Sequence, residues 1–139
     1  MSFRLLTDSD YIKYFILINE FRKTNFTEEM FINTLYLISK NSEIWVYEKD
    51  EELLATGTII YEHKFLSNIC IYAHIEDICV KASHRRQGLG KLLVKHLIER
   101  ARHCYKITLV CADNNILFYE ACGLERRGNQ MCQLLSNLQ

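Results

Sequence analysis

Residues 74–93 constrain the fold of this chain more than any other stretch. They read as a strand, then a basic glycine loop, then the first turn of a helix. Residues 74–80 are mostly apolar or β-branched, and Glu76 and Asp77 interrupt them. An acid pair inside a strand is costly unless water, a ligand or a cation meets it. Arg85, Arg86, Gln87, Gly88, Leu89, Gly90 and Lys91 then turn into a helix. Glycine lets backbone come close to a ligand. A helix N-terminus offers free N–H groups and a partial positive charge, which suits phosphate. Arg85, Arg86 and Lys91 add formal charge at the same place. The stretch therefore offers an acid/base pair at one end and a pyrophosphate cradle at the other. It is not a Walker loop, because Arg85 stands where the first glycine belongs and Leu92 follows Lys91. It is not a dinucleotide fingerprint, because Leu93 stands where the third glycine belongs.

The rest of the chain supplies a mixed α/β pattern. Residues 3–5 read as a short opening strand. Thr7 and Asp10 have capping-box spacing, and Tyr11, Tyr14, Phe15 and Ile18 follow at helical intervals. Thr27 is the N-cap expected for a second helix, with Met30, Phe31, Thr34, Leu35 and Ile38 as its buried face. Residues 22–25 between the two helices read as a solvated connection or the rim of a substrate mouth. Strands are expected at residues 44–47, 53–65 and 69–80, with a turn at Asp50, Glu51 and Glu52 and a hairpin connection near Ser67 and Asn68. After the glycine loop, Leu89, Leu92, Leu93, Leu97 and Ala101 mark a buried helical stripe. Residues 107–111 read as a strand buried on both faces. Asp113 or Asn114 is expected to cap a short helix over 115–122, with Gly123 at its C′ position. A final strand pair is expected at 124–126 and 131–135, around Gly128 and Asn129.

At 139 residues one domain over 1–139 is expected. Formal net charge is zero, so no global basic surface invites nucleic acid or a membrane. No apolar run is long enough to span a bilayer, and Arg4 and Asp8 break any secretory h-region. Six cysteines show neither CxxC spacing nor a histidine cluster of zinc type, so no metal is expected. They read as reduced thiols of a cytoplasmic protein, most of them in the core.

The loop resembles the acyl-CoA signature of the GNAT N-acetyltransferases, Arg/Gln-x-x-Gly-x-Gly/Ala, here Arg85 to Gly90. The element order resembles the GNAT fold too, a mixed, mostly antiparallel sheet flanked by helices. Asn115, Phe118, Tyr119 and Gly123 match a second general GNAT element. Glu62-His63-Lys64-Phe65, His74-Ile75-Glu76-Asp77 and the run 104–109 resemble the narrower branch that acetylates glucosamine 6-phosphate, on the way to UDP-N-acetylglucosamine. That resemblance covers most of the chain from about Leu53 onward; the first two helices match only loosely.

The resemblance implies acetyl-CoA as co-substrate, with its pyrophosphate on Arg85, Arg86, Gln87, Gly88, Leu89, Gly90 and Lys91. It implies pantetheine pairing with the backbone of Ile78, Cys79 and Val80, and Asn115 and Tyr119 beside the thiol. The sugar phosphate would meet Lys64, Phe65, Tyr105 and Lys106, and its hydroxyls Glu76 and Asp77. A homodimer completed by C-terminal strands is implied as well. Independently, an amine must lose a proton before attacking a thioester, and Glu76 or Asp77 suits that task. Strand alternation would put the two acids on opposite faces with different roles. A backbone N–H near Cys79 and Val80 suits a tetrahedral oxyanion, and the Tyr119 hydroxyl suits the departing thiolate. His74 and His63 read as strand histidines satisfied by neighbours. Val110 and Leu134 depart from the branch, which has an acid and an arginine there; Arg126, Arg127 or Lys106 are candidates to compensate. A GNAT enzyme for another amine, and a non-catalytic acyl-CoA-binding module, stay open on the sequence.

Overall fold

The computed structural model describes residues 2–136. Its strands are β1 (Arg4–Leu5), β2 (Ser42–Lys49), β3 (Glu52–Lys64), β4 (Cys70–Val80) and β5 (Lys106–Thr108). Its helices are α1 (Tyr11–Phe21), α2 (Glu28–Ile38), α3 (Leu89–Arg100) and α4 (Ile116–Ala121). The sheet runs β1-β2-β3-β4-β5, antiparallel except for the parallel pair β4–β5. The expected mixed, mostly antiparallel sheet is therefore present.

Local chemistry explains the boundaries. Lys49 pairs with Glu52, so Asp50 and Glu51 alone turn the β2–β3 hairpin, both with positive φ. That is the sense of turn that matches strand twist. Thr7 N–H and Oγ1 both donate to Asp10 Oδ2, at 2.8 and 3.1 Å, and so fix the entry to α1. Arg4 grips the buried Asp10 carboxylate with two bonds of 2.8 and 2.9 Å. Thr27 caps α2 by accepting from Met30 N–H.

Two apolar layers flank the sheet. On one face Leu89, Leu93, Leu97 and Ala101 of α3 and its exit pack on Leu54, Ala55, Ile59, Ala73 and Ile75. On the other, Leu17 of α1 and Phe31 of α2 pack on Leu6, Ile44, Val46, Leu53 and Cys79.

Several expectations need correction. In α3 it is Val94, fully buried, that shares the stripe, whereas Leu92 is 44% exposed. In α2, Phe31 is buried, while Met30 and Thr34 are exposed along a cleft. The β5 strand stops at Thr108, and Val110 is 61% exposed, because only Tyr72, Ala73 and His74 of β4 pair with it. The 113–115 segment is a 3₁₀ turn starting after Ala112, and neither Asp113 nor Asn114 caps α4 through its side chain. Gly123 follows the α4 C-cap with φ 98°, as its C′ role requires. The final strand pair is not formed; Met131, Leu134 and Leu135 are 90, 87 and 89% exposed. Among the described residues no strand pairs with this segment, and an unpaired strand in water has nothing to hold it. Of the six cysteines, all free, only Cys79 and Cys122 are buried.

Candidate active site

Where β5 ends, one edge of β4 opens. Lys81 N–H donates to Leu54 O at 2.8 Å, so Lys81 and, by alternation, Cys79 turn their backbone groups toward β3. Ile78 and Val80 face the other way, beyond the last β5 pair. The Val80 carbonyl there accepts Arg85 Nε at 3.0 Å. This leaves the Ile78 N–H and C=O and the Val80 N–H to pair with an extended ligand. Cys79 is the member of the three turned away, and its buried thiol, pushed up to about 11 by burial, lies against Leu17 O.

The glycine loop lies at the end of that edge. Ala82 N–H donates to Glu20 Oε1 of α1 at 2.9 Å, and Lys81 Nζ reaches Glu20 and Glu52, at 3.5 and 3.2 Å. These ties fix the start of the loop. Arg86 and Gly88 both have positive φ, 61° and 84°, and Gly88 is the N-cap of α3. Leu92 N–H is bonded to Gly88 O, so the amides of Leu89, Gly90 and Lys91 form the unpaired first turn. Arg85, Arg86, Gln87 and Lys91 are exposed around them. A Cβ on Gly90 would lie 3.4 Å from Phe118, so glycine here lets α3 approach α4. Cations, free amides and an open strand edge in one line fit an extended acyl-CoA.

Glu76 and Asp77 do not alternate as an ideal strand would. Thr58 pairs with Glu76 and Thr56 with Cys79, so Gly57 alone opposes Asp77 and Ile78. This is a β-bulge, with Asp77 at φ 53°. The bulge reverses the parity of the strand: Ala73 and Ile75 face α3 before it, Ile78 and Val80 after it. Both carboxylates are exposed, with no hydrogen-bond or ion-pair partner among the described residues. Asp77 lines a cleft of about 400 Å³ with Tyr14, Phe31, Leu35 and Ile44. Burial, with the Asp77 charge, pushes the Tyr14 phenol up to about 12. Arg22, Lys23 and Thr24 line the same cleft, so the α1–α2 connection is a rim as well as an exposed linker.

Beyond Glu76, the face of β4 opposite α3 carries His74 and Tyr72. Lys64 Nζ and Lys106 Nζ sit 5.0 and 4.6 Å from the Tyr72 ring centroid, and Tyr105 stacks on it at 5.7 Å. Two cations thus converge on one half-buried aromatic ring, an arrangement that attracts a dianion. Phe65, next to Lys64 at the hairpin tip, is 93% exposed. Tyr119 is half-buried on α4, and burial beside the Cys111 and Cys122 thiols raises its pKa, which keeps the phenol protonated. Asn115, the α4 N-cap residue, is exposed.

The chain matches the acetyltransferase (GNAT) family over residues 11–124. It belongs to the GNAT family. A glucosamine 6-phosphate N-acetyltransferase of Dictyostelium discoideum is 36% identical over 94% of this chain and 88% of its own length. The Schizosaccharomyces pombe protein of the same name is 40% identical over 64% of this chain and 82% of its own. The crystal structure of the Arabidopsis thaliana glucosamine-6-phosphate N-acetyltransferase superposes with a TM-score of 0.91 at 33% identity, covering 97% and 98% of the two chains.

As a GNAT chain it carries site features that sequence spacing did not single out. Tyr72, which gathers both lysines, became visible only once the parallel register set Lys106 beside it. Glu20 on α1, which anchors the loop, is 62 residues from its partner Ala82. Among the described residues no cluster of three or more His, Cys, Asp or Glu could hold a metal ion. None of their helices is long and apolar enough to cross a membrane.

Proposed function

We propose that this GNAT chain transfers the acetyl group of acetyl-CoA to the amine of glucosamine 6-phosphate, giving N-acetylglucosamine 6-phosphate and CoA. The names of its relatives support the reaction. Within the chain, the observation that carries the acceptor is the convergence of Lys64 and Lys106 on Tyr72, on the face that bears Glu76. One face then offers both a dianion site and a carboxylate for an amine.

Acetyl-CoA lies with its pyrophosphate on the amides and cations of residues 85–91 and its pantetheine along the Ile78 and Val80 edge. Asn115 and Tyr119 border the thiol. The amine gives its proton to Glu76 or Asp77, directly or through water, and attacks in a ternary complex. An edge N–H of Ile78 or Val80 meets the developing oxyanion. The protonated Tyr119 phenol donates to the departing thiolate. Tyr105 and Phe65 flank the sugar phosphate. Lys64 and Lys106 hold it without an arginine at Leu134, while Arg127 is engaged by Glu125. The enzyme works in the cytoplasm, supplying UDP-N-acetylglucosamine synthesis. It works as a homodimer, in which the exposed C-terminal segment of each chain covers its partner.

Thiol release from acetyl-CoA tests the reaction. Glucosamine 6-phosphate should be turned over at least tenfold faster than glucosamine at equal micromolar concentration, and equal rates would remove the phosphate from the reading. One observation favours a second reading, an amine with a more apolar body: the exposed Val110 stands where the glucosamine 6-phosphate branch carries an acid. The same assay with a panel of amines separates the two.

A further inference from the structure

Three polar side chains from three strands form an unbroken line under the open edge. His74 Nδ1 lies 2.8 Å from Thr108 Oγ1, and His74 Nε2 lies 3.1 Å from Glu62 Oε1. Glu62 is on β3, His74 on β4 and Thr108 on β5. The hydrogen bond from His74 holds the Glu62 carboxyl below its ordinary range, so it is ionised and accepts only. The nitrogen facing it, Nε2, therefore carries a proton. In the neutral ring Nδ1 must then accept, and the Thr108 hydroxyl donates to it.

The place of this line matters more than its strength. His74 pairs with Thr108 in the last rung that joins β4 to β5. Beyond it the strands separate, and the Ile78 and Val80 edge opens. His74 is also two residues from Glu76, on the same face of β4. At its other end Glu62 Oε2 meets Lys64 Nζ at 3.4 Å, and Lys64 lies over Tyr72. The line therefore ties the apex of the opening to the lysine platform.

We propose that Glu62, His74 and Thr108 are positioning residues that set where β5 leaves β4. They thereby hold the thioester groove in register with Glu76 and the phosphate platform. The proposal rests on the acyl-CoA groove; the identity of the acceptor enters only one of its two tests. If the line positions the groove, Thr108→Val should lower kcat with glucosamine 6-phosphate at least fivefold. KM for acetyl-CoA should change less than twofold, because the pyrophosphate loop is anchored elsewhere. Thr108→Ser, which keeps the hydroxyl, should restore kcat. His74→Phe with Thr108→Val should be no worse than the poorer single variant, as for one unit. Thermal melts of each variant ensure that a folded protein is assayed.

The second test needs no acceptor. Acetyl-CoA alone should protect the Ile78 and Val80 amides from hydrogen exchange. That protection should fall at least fivefold in Thr108→Val and persist in Thr108→Ser. If wild type protects these amides yet does not acetylate glucosamine 6-phosphate, the acceptor reading fails, and the amide data alone decide the proposal. Wild-type protection and kcat in Thr108→Val and His74→Phe would overturn it. So would equal impairment in the serine and valine variants.

Discussion

In the proposed reaction two residues matter in opposite ways, one by its hydroxyl and one by having no side chain. Tyr119→Phe keeps the ring and removes the group assigned to the thiolate. kcat should fall by roughly one to two orders of magnitude with little change in acetyl-CoA KM. Wild-type kcat, under conditions where chemistry limits the rate, would reduce Tyr119 to packing. Gly57 acts by absence. A Cβ there would lie 2.7 Å from Ile78 Cδ1 and 2.9 Å from Leu97 Cδ1. It would push on the side chain that follows Asp77 and on the helix behind it. Gly57→Ala should cost about 1–3 kcal/mol, as overpacking does, and should also reduce kcat by moving the bulge that presents Asp77. Urea unfolding beside kinetics checks both; a variant as stable and as active as wild type would show that the strand absorbs the methyl freely. Position 57 reads in the sequence only as a glycine within a strand. Its partner Asp77 reads as one more alternating residue, because a bulge is a relation between two strands and leaves little mark on either.

At the level of elements, helices and strands with a strong period were legible, and those that depend on distant partners were not. The β2, β3 and β4 strands and α3 follow from pattern and turn chemistry, and so does the cradle at the α3 N-terminus. The short β5 does not, because its length is set by where it parts from β4 rather than by its own apolar run. The resemblance put Lys64 and Lys106 on one phosphate, but Tyr72 between them was not legible; the antiparallel β3–β4 and parallel β4–β5 registers bring the three together. The packing of α3 against the N-terminal strands holds another unannounced feature. The His96 ring lies 4.8 Å from Phe3 and 4.5 Å from Trp45, and its Nε2 is buried with no hydrogen-bond partner. Burial, and then the Arg100 charge, lower its pKa, while Glu43 opposes them. The unfolded chain therefore takes up a proton at this ring before the folded chain does. Stability contributed here is present above the ordinary imidazole value of 6.5 and is lost as pH falls through the lowered folded value. His96→Phe should flatten the fall in unfolding free energy between about pH 7.5 and pH 5.5. An unchanged slope in urea titrations would place the acid sensitivity elsewhere.

Over the whole molecule, apolar surface is left uncovered at the C-terminal segment. Met131, Leu134 and Leu135 are almost wholly in solvent, and residues 131–135 carry no strand pairing among the described residues. Three such side chains in five residues are unusual for a monomer surface and invite pairing with another chain. The sequence is strand-like in this segment, yet among the described residues no edge of the sheet pairs with it. In the proposed homodimer a second copy would resolve both facts: two-fold symmetry would give each chain the same segment to offer and the same surface to receive it. The apolar side chains would be covered, and the backbone would gain the strand partner it lacks. If the segment also completes the partner's acceptor site, dimerisation and sugar-phosphate binding should fail together. Truncation after Gly128 should give a monomer by light scattering at micromolar concentration. It should lose glucosamine 6-phosphate turnover and keep acetyl-CoA binding, because the loop at 85–91 is held by Glu20, Glu52 and α3 of its own chain. Leu134→Glu with Leu135→Glu keeps the chain length and should give the same two losses. A wild-type protein that scatters as a monomer while fully active would reject the shared site. A truncated dimer would place the interface elsewhere on the molecule.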